Sequence, residues 1–336
     1  MIRRRALVVC LLCAGAAAQE PGLDPAVRAV LTTQLQFSEG DFASLRRGQV
    51  VRHDLPSRAA GEIAVAGAVR IRAPKAKFFA RVRDIARFKS GPAVLQIGRF
   101  SNPPALDDFA ALTVDKDDFD VRSCRLGDCG VRLPAAAIAR LAREVDLKAA
   151  DAQARGAAWF KQILLEEVQA YLSGAERMTQ YDDGSKPIRP RDEFEGILAG
   201  MPEIAALAPG LTDHLRSFPS ARLADAEEFL YWSKEKFGIA PFITVTHVTL
   251  LCRSSVTCVM TTKDVYSSRY LDASVALAIA TDADGPEAFD LVYDNRSRAS
   301  ALKGVLSALR RSLTERRARG GLEESLKTIK QQLEQD

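Results

Sequence analysis

The side chains best suited to chemistry in this chain are few and scattered. His247 stands in Ile243-Thr-Val-Thr-His-Val-Thr-Leu-Leu251 with the parity of Val245 and Thr249, so a strand would aim it to one side as a general base or polar anchor. Tyr266, Tyr270 and Tyr293 occupy neighbouring strand-like runs and would offer phenols inside an apolar cavity, where a few polar groups orient a ligand. Trp232, in Phe229-Leu-Tyr-Trp-Ser233, would anchor a helix or close such a cavity as a lid. Only three histidines are present, His53, His214 and His247, so a multi-histidine metal centre would need nearly all of them together and none is expected. Asp115-Lys-Asp-Asp-Phe-Asp120 has oxygen donors for calcium but lacks the Gly and Glu that an EF-hand loop requires, and reads as a solvated, helix-capping turn. No nucleophile elbow, Walker A loop, H-E-x-x-H helix or dinucleotide-binding glycine motif occurs, and no cofactor is implied.

The elements that must position these residues follow from periodicity. From 239 to 336 the chain reads as a hairpin, a strand with Ala273, Val275, Leu277 and Ile279 on one face, and a further strand through Phe289, Leu291 and Tyr293. Beyond Arg298 the period changes: Leu302, Val305, Leu306, Leu309 and Leu313, then Leu322, Leu326, Ile329 and Leu333, recur at three and four. This predicts a C-terminal helix with a bend or break at Gly320-Gly321, and a meander of about four strands whose apolar face that helix covers. Nearer the N-terminus, Asp24-Pro25 starts an amphipathic helix, and residues 49–55 and 62–72 read as strands. Ala73-Pro74 then opens a helix carrying Phe78, Phe79, Val82 and Ile85, with a further strand at 94–100. From 105 to 238 the periodicity is helical, including 203–218 and 224–236 as single helices.

The first eighteen residues differ from the rest. Arg3-Arg4-Arg5, an apolar stretch too short to span a bilayer, and Ala16-Ala-Ala18 read as an export signal cut before Gln19. Of 47 basic and 43 acidic residues, three arginines leave with that segment, so the remainder is close to neutral and no nucleic-acid partner is expected. Cys10 and Cys13 leave too. Cys124, Cys129, Cys252 and Cys258 remain, and three pairings are open. Local pairs across Arg125-Leu-Gly-Asp128 and across the 253–256 turn are the simplest; zinc is the alternative, although no histidine accompanies either pair.

Val69-Arg-Ile-Arg-Ala-Pro-Lys-Ala-Lys-Phe-Phe-Ala-Arg-Val-Arg-Asp-Ile-Ala-Arg-Phe88 is similar to the opening strand and first helix of the START-like superfamily, the group that includes lipid-transfer domains and polyketide cyclases. The order of Ile243–Asn295 followed by Leu302–Leu333 resembles its closing meander and helix. The resemblance implies an α+β helix-grip fold, a curved antiparallel sheet gripping a C-terminal helix, here with a helical insertion. The divisions expected are a signal at 1–18, an N-terminal arm at 19–60, the two parts of the grip domain at 61–104 and 239–336, and the insertion at 105–238. It further implies a lipid or other hydrophobic molecule held between sheet and helix, with His247, Tyr266, Tyr270, Tyr293, Trp232, Leu277, Leu309 and Leu313 as candidate lining. The basic run Arg310, Arg311, Arg316 and Arg317 would meet anionic headgroups at a membrane surface. Two other functions are compatible with this reading: a cyclase or hydrolase using His247 and a tyrosine in the same cavity, and a non-catalytic envelope scaffold whose insertion binds a protein.

Overall fold

The computed structural model describes residues 23–175, 177–236, 240–303 and 307–335, the side chains of 307–310 excepted. Residues 1–18, read above as an export signal, and the side chains of Leu309 and Arg310 therefore lie outside what is described of the structure. The N-terminal arm comprises α1 (Pro25–Thr33) and α2 (Glu39–Arg46), followed by β1 (Val51–Asp54) and β2 (Glu62–Ile71). Asp24 and Ser38 cap the two helices by accepting from backbone N–H groups, as Asp and Ser do at helix starts. Next come α3 (Lys75–Arg83), α4 (Ile85–Phe88) and β3 (Val94–Arg99). The insertion carries α5 (Ala135–Glu144), α6 (Ala152–Ser173), α7 (Pro190–Leu198), α8 (Pro202–Leu207) and α9 (Leu211–Ser217). The chain closes with β4 (Glu227–Glu235), β5 (Phe242–Cys252), β6 (Thr257–Ser267), β7 (Ala273–Asp282), β8 (Phe289–Arg298) and α10 (Ser307–Gln335).

All eight strands form one open antiparallel sheet in the order β1-β2-β8-β7-β6-β5-β4-β3. The chain lays down β1 and β2, crosses the sheet through α3 and α4, starts again at the far edge with β3, and returns strand by strand until β8 pairs with β2. The fold is α+β, a curved sheet with a C-terminal helix, compatible with a helix-grip arrangement. The α10 helix runs along β2: Arg311 donates to the Glu62 carbonyl at 2.7 Å near one end, and Lys330 to the Arg70 carbonyl at 2.7 Å near the other. Gly67 makes this approach possible, since a Cβ there would stand 3.0 Å from Leu326 and 3.1 Å from Leu322.

Period-2 alternation sorts each strand onto two buried faces. On the α10 face, Ile63, Val65, Val69, Ile71, Val248, Leu250, Met260, Phe289 and Leu291 pack with Phe78, Phe79, Val82, Leu322 and Leu326. On the opposite face, β7 contributes Val275, Leu277 and Ile279 beneath α1, α2 and α7–α9, while Trp232, Ile243, Val245 and Tyr266 lie beneath α5 and α6.

Several expectations are corrected. Residues 224–236 are not a helix but enclose β4, so the meander has five strands. The helical reading arose because Phe229, Leu230, Tyr231 and Trp232 are all buried; a strand covered on both faces shows no alternation. The span 203–218 is two helices, split at Pro209-Gly210, where Gly210 has a φ of +88°. Gly320-Gly321 does not interrupt α10, which is continuous because Leu322, Leu326 and Leu333 beyond the pair are fixed on the sheet. The disulfides are the local pairs Cys124–Cys129 and Cys252–Cys258, the second joining residues that face each other in the β5–β6 register. Asp115 and Asp118 face the Lys234 ammonium at 3.3 and 2.6 Å, so the acidic run holds β4 to the insertion.

Candidate functional site

The α10 face of the sheet is not covered evenly. The α10 helix occupies the β1–β2 edge, and α3 crosses one end of the sheet, from Lys75 on Asp282 at 2.6 Å to Arg83 on Glu227 at 2.8 Å. Between them a polar strip remains half-exposed: Thr262 and Asp264 of β6, Ser274 of β7, and Tyr293, Asn295 and Ser297 of β8. Residues at the centre of the sheet are otherwise buried on both sides, so α3, α4 and α10 leave a gap in the cover at this groove-like strip. Small residues on β7, Ser274, Ala276 and Ala278, keep its floor low while the longer side chains of the neighbouring strands rise around it. Leu313 of α10 is an apolar side chain left 46% exposed: nine residues before Leu322 in a continuous helix, it lies about 180° round from the stripe that packs on the sheet.

The strip has its own electrostatics. Thr246 donates to Asp264 at 3.0 Å. Burial pushes the Asp264 carboxyl up to about 7, against the lowering effect of Thr246 and Lys89. Burial likewise raises the Tyr293 phenol, with Lys89, Tyr231 and Asp264 among the charges it feels. Lys89, just past α4, sits 2.7 Å from Glu235 and 3.3 Å from the Tyr231 hydroxyl. Burial opposes its charge, but Tyr231 and Glu235 hold its ammonium above the usual range. The groove therefore joins an apolar wall to a carboxyl that is half-protonated near neutral pH, two phenols and one paired cation. Asp264, Tyr231 and Lys89 were not singled out in the sequence. The one signal that could have found Asp264 is an acid standing amid the β-branched and apolar residues of 258–266.

The residues expected from sequence to share one wall are divided between the faces. Tyr293 lies on the α10 face, whereas Leu313 is on the outer side of α10, turned away from the sheet, and does not line it. Trp232, Tyr266, Leu277 and His247 lie on the opposite face. Trp232 is fully buried in β4 and donates to the Asp108 carbonyl at 2.8 Å, fixing the start of the insertion; it is neither a helix anchor nor a lid. Tyr266 donates to the Arg132 carbonyl at 3.0 Å. Tyr270, in the β6–β7 turn at a φ of +64°, exchanges hydrogen bonds with the backbone of Ala240. Arg311 is tied to Glu315 at 2.7 Å, and Arg316 and Arg317 are exposed.

His247 occupies a separate, buried setting between β4, β5 and the insertion. Its Nδ1 lies 2.9 Å from the Tyr171 hydroxyl of α6, and its Nε2 lies 3.7 Å from Glu228 Oε1 of β4. His214 of α9 presents Nε2 to the same carboxylate oxygen at 2.8 Å. Phe218 packs on the His247 ring at 4.6 Å and stacks on Tyr171 at 5.2 Å. Burial, and then the charges of His214, Lys263 and Arg222, lower the His247 pKa to about 3, so its imidazole is neutral at ordinary pH. A neutral imidazole walled off by the sheet cannot act in the groove.

No family model, no curated protein and no solved structure matches this chain. Among the described residues no helix is long and apolar enough to cross a membrane, and the two disulfides fit an oxidising environment.

Proposed function

We propose that the chain is an exported, START-like binding protein that holds an apolar small molecule with a hydrogen-bonding head group in the groove between the sheet and α10. The observation that carries this reading is the half-exposed polar strip around Asp264 and Tyr293, set within an apolar face and bounded by α3, α4 and α10. The element order supports the superfamily resemblance: a strand leading into crossing helices, a meander returning to pair with that strand, and a closing helix. Export through residues 1–18, to a periplasm or the exterior, agrees with the local disulfides. In this reading the ligand's head meets Asp264 and the Tyr293 hydroxyl, the partly exposed polar groups of the strip, and its apolar body lies along the same gap.

The test is purification from the exported fraction without detergent, followed by native mass spectrometry and solvent extraction. One bound lipid-like molecule per chain is the expected result. Thr262→Trp, which fills the strip from a half-exposed position, should abolish the adduct and leave the melting temperature within a few degrees. A folded wild-type protein that carries no adduct and takes up no apolar molecule would overturn the reading.

A second reading, an enzyme acting in the same groove, is favoured by one observation: the Asp264 carboxyl titrates near 7, where a general acid or base is most effective. The group assigned to that role is Asp264, with Tyr231 and Tyr293 beside it, and not His247. Chemical alteration of the extracted ligand by the wild type but not by Asp264→Asn would select this reading over simple binding.

A further inference from the structure

On the other face of the sheet, His214, Glu228 and His247 come from three elements far apart in the chain and point three donor atoms at one place. One donor atom from each of the three lies within 4.8 Å of the other two, and both histidines turn Nε2 to Glu228 Oε1. Both imidazoles are essentially inaccessible, 0% exposed for His214 and 1% for His247.

The outer hydrogen bonds of the two rings decide where their protons sit. His214 Nδ1 faces the Ala221 carbonyl at 3.1 Å, and a carbonyl can only accept, so the Nδ1 hydrogen is placed there. In the neutral ring that leaves Nε2 with a lone pair turned to Glu228, with Thr249 Oγ1 also 3.4 Å away. His247 Nδ1 meets the Tyr171 hydroxyl at 2.9 Å and can donate to its oxygen, again freeing Nε2. Neither His247 Nε2 nor Glu228 Oε1 has a hydrogen-bond partner, although both atoms are buried. Two lone pairs and a carboxylate oxygen converging without a proton between them repel one another, and a buried polar atom without a partner costs about 1–3 kcal/mol. A bound cation relieves both penalties.

We propose that His214, Glu228 and His247 form a binding site for a divalent transition metal of the zinc type, with three protein ligands and a fourth position open to water. Bonds of about 2.1 Å in tetrahedral geometry place ligand atoms about 3.4 Å apart, and the separations from Glu228 Oε1, 2.8 Å to His214 and 3.7 Å to His247, straddle that value. The donor set of two imidazoles and a carboxylate is the type zinc takes where it retains a water. The Ala221 carbonyl and the Tyr171 hydroxyl orient the rings from outside, the arrangement that fixes metal-ligating histidines. Glu228 Oε2 is 3.6 Å from the exposed Arg222, which leaves Oε1 for the ion and marks the side from which it enters.

Sequence reading missed this site because Glu228 fell in a stretch that reads as helical, so nothing placed it beside His247. The proposal is independent of the groove, which lies across the sheet.

The test uses the full mature chain, stripped with a chelator and titrated with Co2+ alone, followed by competition with Zn2+. One Co2+ per chain with visible ligand-field absorption, displaced by Zn2+ with a rise in melting temperature, is expected. His247→Gln and Glu228→Gln should weaken binding at least 100-fold, Tyr171→Phe about 10- to 100-fold, and His53→Gln should leave it unchanged. If the ligand variants do not fold, the Tyr171→Phe titration and the wild-type melting shift decide. Wild-type protein that stays folded and takes up neither ion, or binding that survives in Glu228→Gln and His247→Gln, would overturn the proposal and leave a His214–Glu228 ion pair only.

Discussion

The two faces of the sheet treat polar groups in opposite ways. The face under α1, α2 and α5–α9 buries most of them: Glu62 is 0% exposed and accepts from Arg296 and Arg298, both at 3.1 Å, and His214 and His247 are closed in beside the partly buried Glu228. The face under α10 leaves a polar strip half-exposed and makes its hydrogen bonds locally, as in Ser274 with Ser297 at 2.9 Å. The first arrangement joins distant segments, since Arg298 also meets Glu193 of α7 at 3.4 Å, and so attaches the insertion to the sheet. The second leaves groups available to something outside the chain. Coverage separates them: five insertion helices and the N-terminal arm close one face, whereas α3, α4 and α10 leave a gap on the other.

The largest effect that would break this comparison is expected at Glu62. Glu62→Ala removes the carboxylate that two buried guanidinium groups share and should lower stability by about 3–5 kcal/mol in a denaturant titration. A loss below about 1 kcal/mol would show that water already reaches these arginines and that the two faces do not differ as described.

A smaller effect of opposite sign is expected across the sheet. Asp264 keeps its proton up to about 7 in the folded chain, whereas an unfolded aspartate loses it near 4. The folded state therefore binds more protons between these values, and stability falls as pH rises through that window. Asp264→Asn should remove this slope and, in thermal melts at pH 8, stabilise the chain by about 2 kcal/mol. A destabilised variant with an unchanged pH profile would place the titration elsewhere.

Gly320 and Gly321 are exposed within continuous helix and a Cβ at either position meets nothing within 4 Å. Gly320→Ala and Gly321→Ala should each stabilise by about 0.5–1 kcal/mol. Loss of stability on melting would mean that α10 bends there. The smallest change is predicted for Asn295→Ala: within about 0.5 kcal/mol of wild type, because its contacts are half-exposed, but with weaker retention of any molecule bound as proposed above. This variant set beside Glu62→Ala is the sharpest measure of the difference between the faces.

The order of elements was legible in residues 62–100 and 243–335 because those segments alternate or recur with a clear period. Ile63, Val65, Val69 and Ile71 show which residues of β2 share one face, and Cys252 and Cys258, six residues apart across a turn, have a partner within reach of one hairpin. The candidate lining was legible only in part. Parity correctly puts His247, Val245 and Thr249 on one side of β5, but parity does not say which side α10 covers. Tyr293 and His247 therefore looked equivalent in sequence and lie on opposite faces of the sheet.

The sequence by itself determined the α+β class, which residues of a strand share a face, and the capped start of the first helix, and it made the local disulfides the simplest of three open pairings. Each of these depends on neighbours within about ten residues along the chain. Only the tertiary structure decided that β3 and β4, separated by the whole insertion, pair at one edge, that Glu228 stands between His214 and His247, and that Asp264 titrates beside Lys89 and Tyr293. Those relations depend on which elements cover each face and on the dielectric they create. Covering and dielectric belong to the packed molecule and have no period in the chain.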